Sequence, residues 1–580
     1  MHIKIALYLI SLLMASVSCF AQETYNLSHS KWKDTIIVKN NRFCRKNNDC
    51  GSIVHKDNSK IIVKWDKYSK EAFVYSPKDK TWILNMSFLA KDIITKEYEE
   101  LEYTLQEPYI KLNPYQKTPL SALIKFPTTE PCQIQITIKG KGNAPDIIHT
   151  VKGYQTEHTI PILGLFPNHT NKIILTATTK EGKIETSNVI IKTENVNTNK
   201  QWFPLKKTDN TFNYYASYDG LIFDEEGNIR YQITDSIWFH SYYYKNNIYI
   251  ENTNNITKYS MLGEFQQRYN YPKNFYTYIH GMSFKDNDNL LIFGTFKNTT
   301  ALIDGEKKET HRDFILEIDH KTGKTIATYD LAEMLNPDRS LIVKSSQTDY
   351  GKTDWAHTNG IDYDAKNKAI IVSGRHFGIV KISEKTKKPI WWMTPHQLTH
   401  KSGRNGDKGD ISHLLLTATD TNNKPYPPDV QKGTQPVADF KWPLKTHSVK
   451  YAGKGIYSIF DNSGKMYDKS LYTTENSVAS VFKIDDKKKT VQQVFLKHLP
   501  AYSEPGSSVL IHPKTQELWV TIGDARSTNN SKLVNPLFYR FNQKGEEIYR
   551  AVLHSDSNSW IYLIQPFEFY AENNWPTPIE

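Results

Sequence analysis

The chain has 580 residues, 12% of them aromatic with 35 Tyr and 12 Trp, and a formal net charge of +11 at pH 7. That length calls for two or more domains unless a repeat fold absorbs it, and the aromatic content favours strands over helical bundles. The lysines are scattered in runs such as KDNSK, KTKK and KDDKKK rather than gathered on one periodic face, so the charge reads as solvated surface, and without a supporting motif nucleic-acid binding is set aside.

In chain order, residues 1–21 show a basic start at Lys4, an apolar run from Ile5 and small residues up to Ala21, the layout of a secretory signal cut after Ala21. The stretch Leu12–Cys19 resembles a lipoprotein signal only loosely, because a serine stands where a branched apolar residue belongs. Lipidation at Cys19 is therefore the lesser reading. No other stretch has the length to span a bilayer as a transmembrane segment, and the sequence predicts an exported protein, most simply periplasmic. In such an oxidising compartment Cys44 and Cys50 of CRKNNDC are close enough for a small disulfide loop, adjacent free thiols being the alternative. With Cys132 they are too few for a four-cysteine zinc site.

Residues 22–100 alternate short apolar runs, such as IIVK from Ile36 and EAFVY from Glu71, with polar turns. They predict a β-rich extension of no assignable role. Between residues 101 and 195, IQITIKG, HTIPIL, NKIILTATT and SNVIIKT have apolar positions at period two, with GLFPNHTN as a turn between two of them. This predicts an immunoglobulin- or fibronectin-like β-sandwich of about 90 residues.

From residue 200 to 580 a plan repeats: a strand head, an aromatic residue, a polar turn and a second apolar strand. Its instances begin at Asn213, His240, His280, His357, His447 and Ser507. The shortest spacing, 40 residues from His240 to His280, is that of one four-stranded blade, and longer spacings read as loop insertions. The predicted fold class is all-β, a six-bladed β-propeller preceded by the sandwich. One insertion, residues 394–440, is too long for a hairpin; a lid or entrance wall and a tolerated surface loop are equal readings.

In a propeller the innermost strands line one channel, so His280, His357 and His447, at matching positions, converge. Arg375 in SGRHFGIVKI follows the His357 strand pair by one hairpin. Imidazole is nucleophilic and titrates near neutrality, and guanidinium offers a fixed fork of donors to a tetrahedral oxyanion. The combination suits sulfate or phosphate esters. Arginine among the histidines argues against a metal, and no cofactor is implied. Taken singly, each histidine reads as a strand-end residue bonded to a backbone carbonyl. His240 is left as structural; His311, His376, His396, His400, His413 and His554 lie outside the pattern, and His376, if on a strand, points away from Arg375.

The segments HRDFILEIDHKTGKTIATYDLAEMLNPDR, DWAHTNGIDYDAKNKAIIVSGRHFGIVKI and HSVKYAGKGIYSIFDN strongly resemble the bacterial aryl-sulfate sulfotransferases, as does NPYQKTPLSALIKF in the sandwich. That family passes a sulfuryl group from a phenolic sulfate ester to a phenol without a nucleotide sulfate donor. The resemblance implies His447 as the transiently sulfated nucleophile of a ping-pong reaction. It implies His280, His357 and Arg375 around the sulfuryl oxygens, and Asn359 holding the site on the substrate-binding side. Of these, His357 is the preferred proton exchanger, with His280 open as the alternative. Ser507 falls near a hydroxyl position of the family, although EPGSSV departs from its pattern, and KTHSVKY replaces a more usual glutamine before the nucleophile. Family members commonly form homodimers. Two other readings stay open: a three-histidine, metal-dependent propeller lyase, and a non-catalytic exported propeller that binds a ligand.

Overall fold

The computed structural model describes residues 23–572 other than 30–31, 40, 46–48, 57–59, 67–69, 77–79, 85, 236, 238–239, 278–280, 304, 311–313, 336–347, 350–351, 399–410, 464–469, 504–505, 528–529 and 556–560. The signal-like residues 1–21 with Cys19, and His280, His311 and His400, lie outside the described residues. With 55% strand and 5% helix the chain is nearly all-β.

Residues 23–84 form a seven-stranded sheet in which each strand runs antiparallel to its neighbours except Glu23–His29 and Thr81–Leu84, which are parallel. Alternation buries Ile36, Ile61, Val63 and Phe73 on one side and leaves Ile37 and Val54 exposed on the other. Cys44 and Cys50 face each other across the Arg42–Cys44 and Cys50–Lys56 hairpin and are joined by a disulfide. The helix Met86–Glu99 follows.

The next unit is a sandwich-like sheet built on one 18-residue strand, Ser121–Ile138. Its first half pairs with Gln155–Leu163, and its second half with Ile147–Thr150 and Thr170–Thr179. The register breaks between Pro127 and Cys132, where one strand passes from one set of partners to the other, as strands do at sandwich corners. Strict alternation along Thr170–Thr179 buries Ile173, Leu175 and Ala177. These side chains share a continuous core with Ala216, Ile222, Tyr243 and Phe567 from the following sheets. Fully buried Arg230 reinforces the junction: it donates twice to the Gly164 carbonyl, at 3.0 and 2.6 Å, and its guanidinium lies 3.6 Å from the Phe166 ring.

Four-stranded antiparallel meanders then follow one another in a propeller-like arrangement of curled sheets. They span 241–270, 282–330, 358–393 and 446–498, with two closing sheets that mix chain ends. In one, Ile564–Phe567 is laid beside Tyr214–Ser217; in the other, Lys200–Lys207 is laid on Glu547–Ser555. Buried cations stitch neighbouring sheets in a repeated way. Lys285 bonds Glu317 of its own sheet at 2.8 Å and Glu384 of the next at 2.5 Å. Lys381 bonds Asp364 and Asp486, both at 2.6 Å. Arg540 bonds Glu517 at 3.0 Å and Glu225 at 2.8 Å. Each places a satisfied charge between two sheets that have few backbone bonds to each other.

The described part of the 394–440 insertion runs along the outer flank of the sheets. Thr417–Ala418 pairs in parallel with Thr490–Val491 of an outermost strand, and Leu416, Ala418, Val430 and Phe440 join the core between the 358–393 and 446–498 sheets. Its burial is structural at these residues, whose apolar side chains needed a partner that the loop composition did not disclose.

Candidate active site

His357 directly precedes the inner strand Thr358–Asp364, and His447 is the second residue of the inner strand Thr446–Gly453. Neither backbone is a plain strand. His357 sits at φ +48°, and a bulge between His447 and Lys450 places Ser448 at φ +49°. Bulges at strand heads re-aim side chains, and non-glycine residues in this region cluster at functional sites. The two strands approach so closely that a Cβ on Gly360 would lie 2.7 Å from the Val449 nitrogen and 3.1 Å from the Ser448 Cα. Glycine in the HTNG segment is therefore what brings the two histidine heads together. Their ring centroids are 6.5 Å apart and steeply inclined at 69°.

Each ring is held by a different kind of partner. The His357 Nδ1 is bonded to the carboxylate of Asp354, three residues upstream. The Asp354 backbone carbonyl in turn accepts from His376 Nδ1 at 2.7 Å. The His447 Nδ1 is bonded to Oδ1 of Asn462, whose Nδ2 donates to the Ser503 carbonyl. His447, Asn462 and Asn359 are at most 1% exposed, whereas His357 and Arg375 are partly accessible.

Asn359 ties its own strand to the His447 strand. Its Nδ2 donates to the Thr446 carbonyl at 2.6 Å, its Oδ1 accepts from Ser373 Oγ at 3.1 Å, and its backbone carbonyl accepts from Tyr562 Oη. The Tyr562 ring is also 6.2 Å from that of His447 and 5.4 Å from that of His240, forming an aromatic wall. His240 is neutral there, since burial holds its imidazole down at about 3. The Arg375 backbone N–H donates to the His357 carbonyl at 3.0 Å, so the guanidinium springs from a residue tied to the His357 head.

His376 departs from the sequence expectation. Residues 375–377 form a turn between the strands Ala369–Gly374 and Gly378–Ser383, so strand alternation does not apply, and the His376 ring comes within 5.4 Å of the His357 ring. Ser507 is buried in the supporting network: its hydroxyl donates to Ser503 Oγ at 2.9 Å and accepts from the Gly523 N–H at 3.0 Å.

Asp354 and Asn462 were not singled out from sequence. An acid three residues before a histidine, in DWAH, was a usable signal for the first. Nothing marked the second, because Asp-Asn after a strand ordinarily reads as turn chemistry. Asp354, His357 and His376 also form the one described group whose donor atoms could hold a metal, all lying within 4.8 Å of one another. In that group the Nδ1 atoms of both histidines are already engaged within the cluster.

Two family descriptions match the chain: Arylsulfotransferase (ASST) over residues 178–562 and Arylsulfotransferase Ig-like domain over residues 109–194. Among curated proteins, the arylsulfate sulfotransferase AssT of Lelliottia amnigena is 24% identical over 485 residues, covering 67% of this chain and 79% of that protein. The protein of the same name from Escherichia coli is 29% identical over 269 residues, covering 41% of this chain and 43% of its own length. The chain thus spans less than half of the latter relative in that match.

Proposed function

Because the chain belongs to the arylsulfotransferase family, we propose that it moves a sulfuryl group from a phenolic sulfate ester to a phenol through a sulfohistidine on His447. The observation that carries this reading is the convergence of the His357 and His447 heads on adjacent inner strands, with Arg375 rooted on the His357 carbonyl.

In the first displacement the imidazole lone pair of His447 attacks sulfur, the bond from sulfur to the aryl oxygen breaks, and its electron pair leaves with the phenoxide. In the second, an acceptor phenol oxygen attacks the same sulfur and the sulfur–nitrogen bond breaks back onto the ring. His357 gives its proton to the departing phenoxide and recovers one from the acceptor, so each cycle closes. A carboxylate on its Nδ1 favours the protonated ring needed for the first half. Arg375, with its fork of N–H donors, and His280 would bear on the charge spread over the sulfuryl oxygens, a type of fixed donor worth about 3 kcal/mol in transition-state stabilisation. Asn359 supports the site through the His447 strand with one of its two amide N–H groups, and the second N–H would bear on the substrate.

Among the described residues no helix is long and apolar enough to cross a membrane, and the signal-like first 21 residues support export to the periplasm.

The test is direct. Wild-type protein incubated with an aryl sulfate and no acceptor should carry a sulfuryl adduct on His447 by peptide mass spectrometry, discharged on addition of a phenol and lost in His447→Asn. Turnover that ceases in chelator, without an adduct, would favour instead a metal held by Asp354, His357 and His376.

A further inference from the structure

The partner of His447 differs in kind from that of His357, an amide against a carboxylate. We infer that Asn462 is a positioning residue that keeps the proton of His447 on Nδ1 through both half-reactions, so that Nε2 is the atom sulfated and neutral imidazole the group expelled. The inference rests on the sulfohistidine reading above.

The orientation of the amide follows from its second bond. The Ser503 carbonyl can only accept, so the Asn462 atom facing it is the NH2 group, and Oδ1 is the atom facing His447. An amide oxygen accepts, so His447 Nδ1 must donate, and in the neutral ring the lone pair then lies on Nε2. Asn462 is fully buried and its own backbone is fixed. Its carbonyl accepts from Ser477 Oγ at 3.2 Å, and the same hydroxyl accepts from the Ser503 N–H at 3.0 Å. Ser503 is braced in turn by Ser507, whose hydroxyl reaches it at 2.9 Å. This chain of bonds accounts for the serine that the sequence singled out, without placing it on the substrate.

The choice of a neutral partner has a chemical reason. Sulfation of Nε2 puts positive charge on the ring and makes the Nδ1 proton acidic. A carboxylate in place of the amide would take that proton, leaving a sulfoimidazole that must expel an imidazolate, a far poorer leaving group. An amide carbonyl cannot take it. The same bond therefore orients the lone pair for attack and preserves the leaving group for transfer. At His357, which is to gain and lose a proton, a carboxylate is the suitable partner.

Rapid-quench measurement with p-nitrophenyl sulfate, with and without phenol, tests this on three full-length proteins. Wild type should show a burst of nitrophenolate and an adduct on His447. Asn462→Leu should slow the burst by about 100-fold, as expected for a ring in the wrong tautomer, with the donor KM little changed. Asn462→Asp should keep a burst but discharge its adduct to phenol at least about tenfold more slowly than wild type. Selective 15N-histidine labelling of wild type gives a readout independent of variant folding, with the His447 proton expected on Nδ1. A proton found on Nε2, or wild-type burst and discharge rates in both variants, would overturn the assignment while leaving the sulfohistidine intact. Absence of the wild-type adduct would overturn the sulfohistidine reading itself and this inference with it.

Discussion

Replacing Asp354 by Asn leaves an oxygen able to accept from His357 but removes the negative charge. The pair is well shielded, with side-chain exposures of 14% for His357 and 2% for Asp354, so water replaces little of what is lost. A hydrogen bond to a charged group is worth about 1.5–3 kcal/mol, which at about 1.4 kcal/mol per tenfold in rate corresponds to roughly 10- to 100-fold. That loss should fall only where His357 must supply a proton. A donor with a poor leaving group, such as phenyl sulfate, needs the phenoxide protonated as it departs; p-nitrophenyl sulfate does not. Asp354→Asn should therefore lower kcat/KM for phenyl sulfate by roughly 10- to 100-fold and for p-nitrophenyl sulfate by less than about threefold. Steady-state kinetics on the two donors read this directly. An equal loss on both donors would show that Asp354 merely supports the fold around His357, and no loss on either would remove His357 from proton transfer.

Two further outcomes concern stability. Burial holds the Glu251 carboxyl up at about 7 from its ordinary 4.5, against the opposing hydrogen bond from Tyr242. Between those pH values the folded chain keeps a proton that the unfolded chain has released, so stability falls as pH rises through the window. Glu251→Gln should then raise the thermal midpoint relative to wild type at pH 8, by an amount equivalent to at most about 3 kcal/mol, and change it little at pH 4.5; a pH-independent difference would contradict this. Arg540 is fully buried between Glu225 and Glu517, and Arg540→Met leaves those carboxylates uncompensated. Its cost of about 3–5 kcal/mol should appear as a lower unfolding midpoint by calorimetry, and an unchanged midpoint would show that the network contributes nothing net.

The strands of the sandwich and the heads of the repeated sheets were legible because period-two burial writes itself into residue order, as Thr170–Thr179 shows position by position. The candidate site's strand heads were legible for a second reason: HTNG and SGRH sit in short segments whose glycines and turns are demanded by close strand approach, as at Gly360. What stayed hidden were contacts between segments distant in sequence. Asn462 meets His447 only because two strands of one sheet return to the same end, and its second bond goes to Ser503 in the following segment. The strand-based expectation for His376 fails because His376 lies two residues past Gly374, where the strand ends. The parallel seam between Glu23–His29 and Thr81–Leu84 likewise has no signature in either strand, since pairing partners are chosen by the fold and not by the local pattern.

The strand Ile564–Phe567 lies against Tyr214–Ser217, so a segment about 350 residues later in the chain supplies the edge strand of an early sheet. During synthesis the early sheet is made long before that partner exists, and until then its inner edge is open, with Tyr215 and Ala216, later fully buried, uncovered. Such an edge can recruit any extended chain that passes. A sheet of this kind cannot mature in chain order as domains of a linear array do; it waits for Ile564–Phe567. Loss of the segment that carries Ile564–Phe567 would therefore cost the closure of the sheets, and the His447 strand, 117 residues upstream of Ile564, would be left without the Tyr562 bond that braces Asn359 beside it.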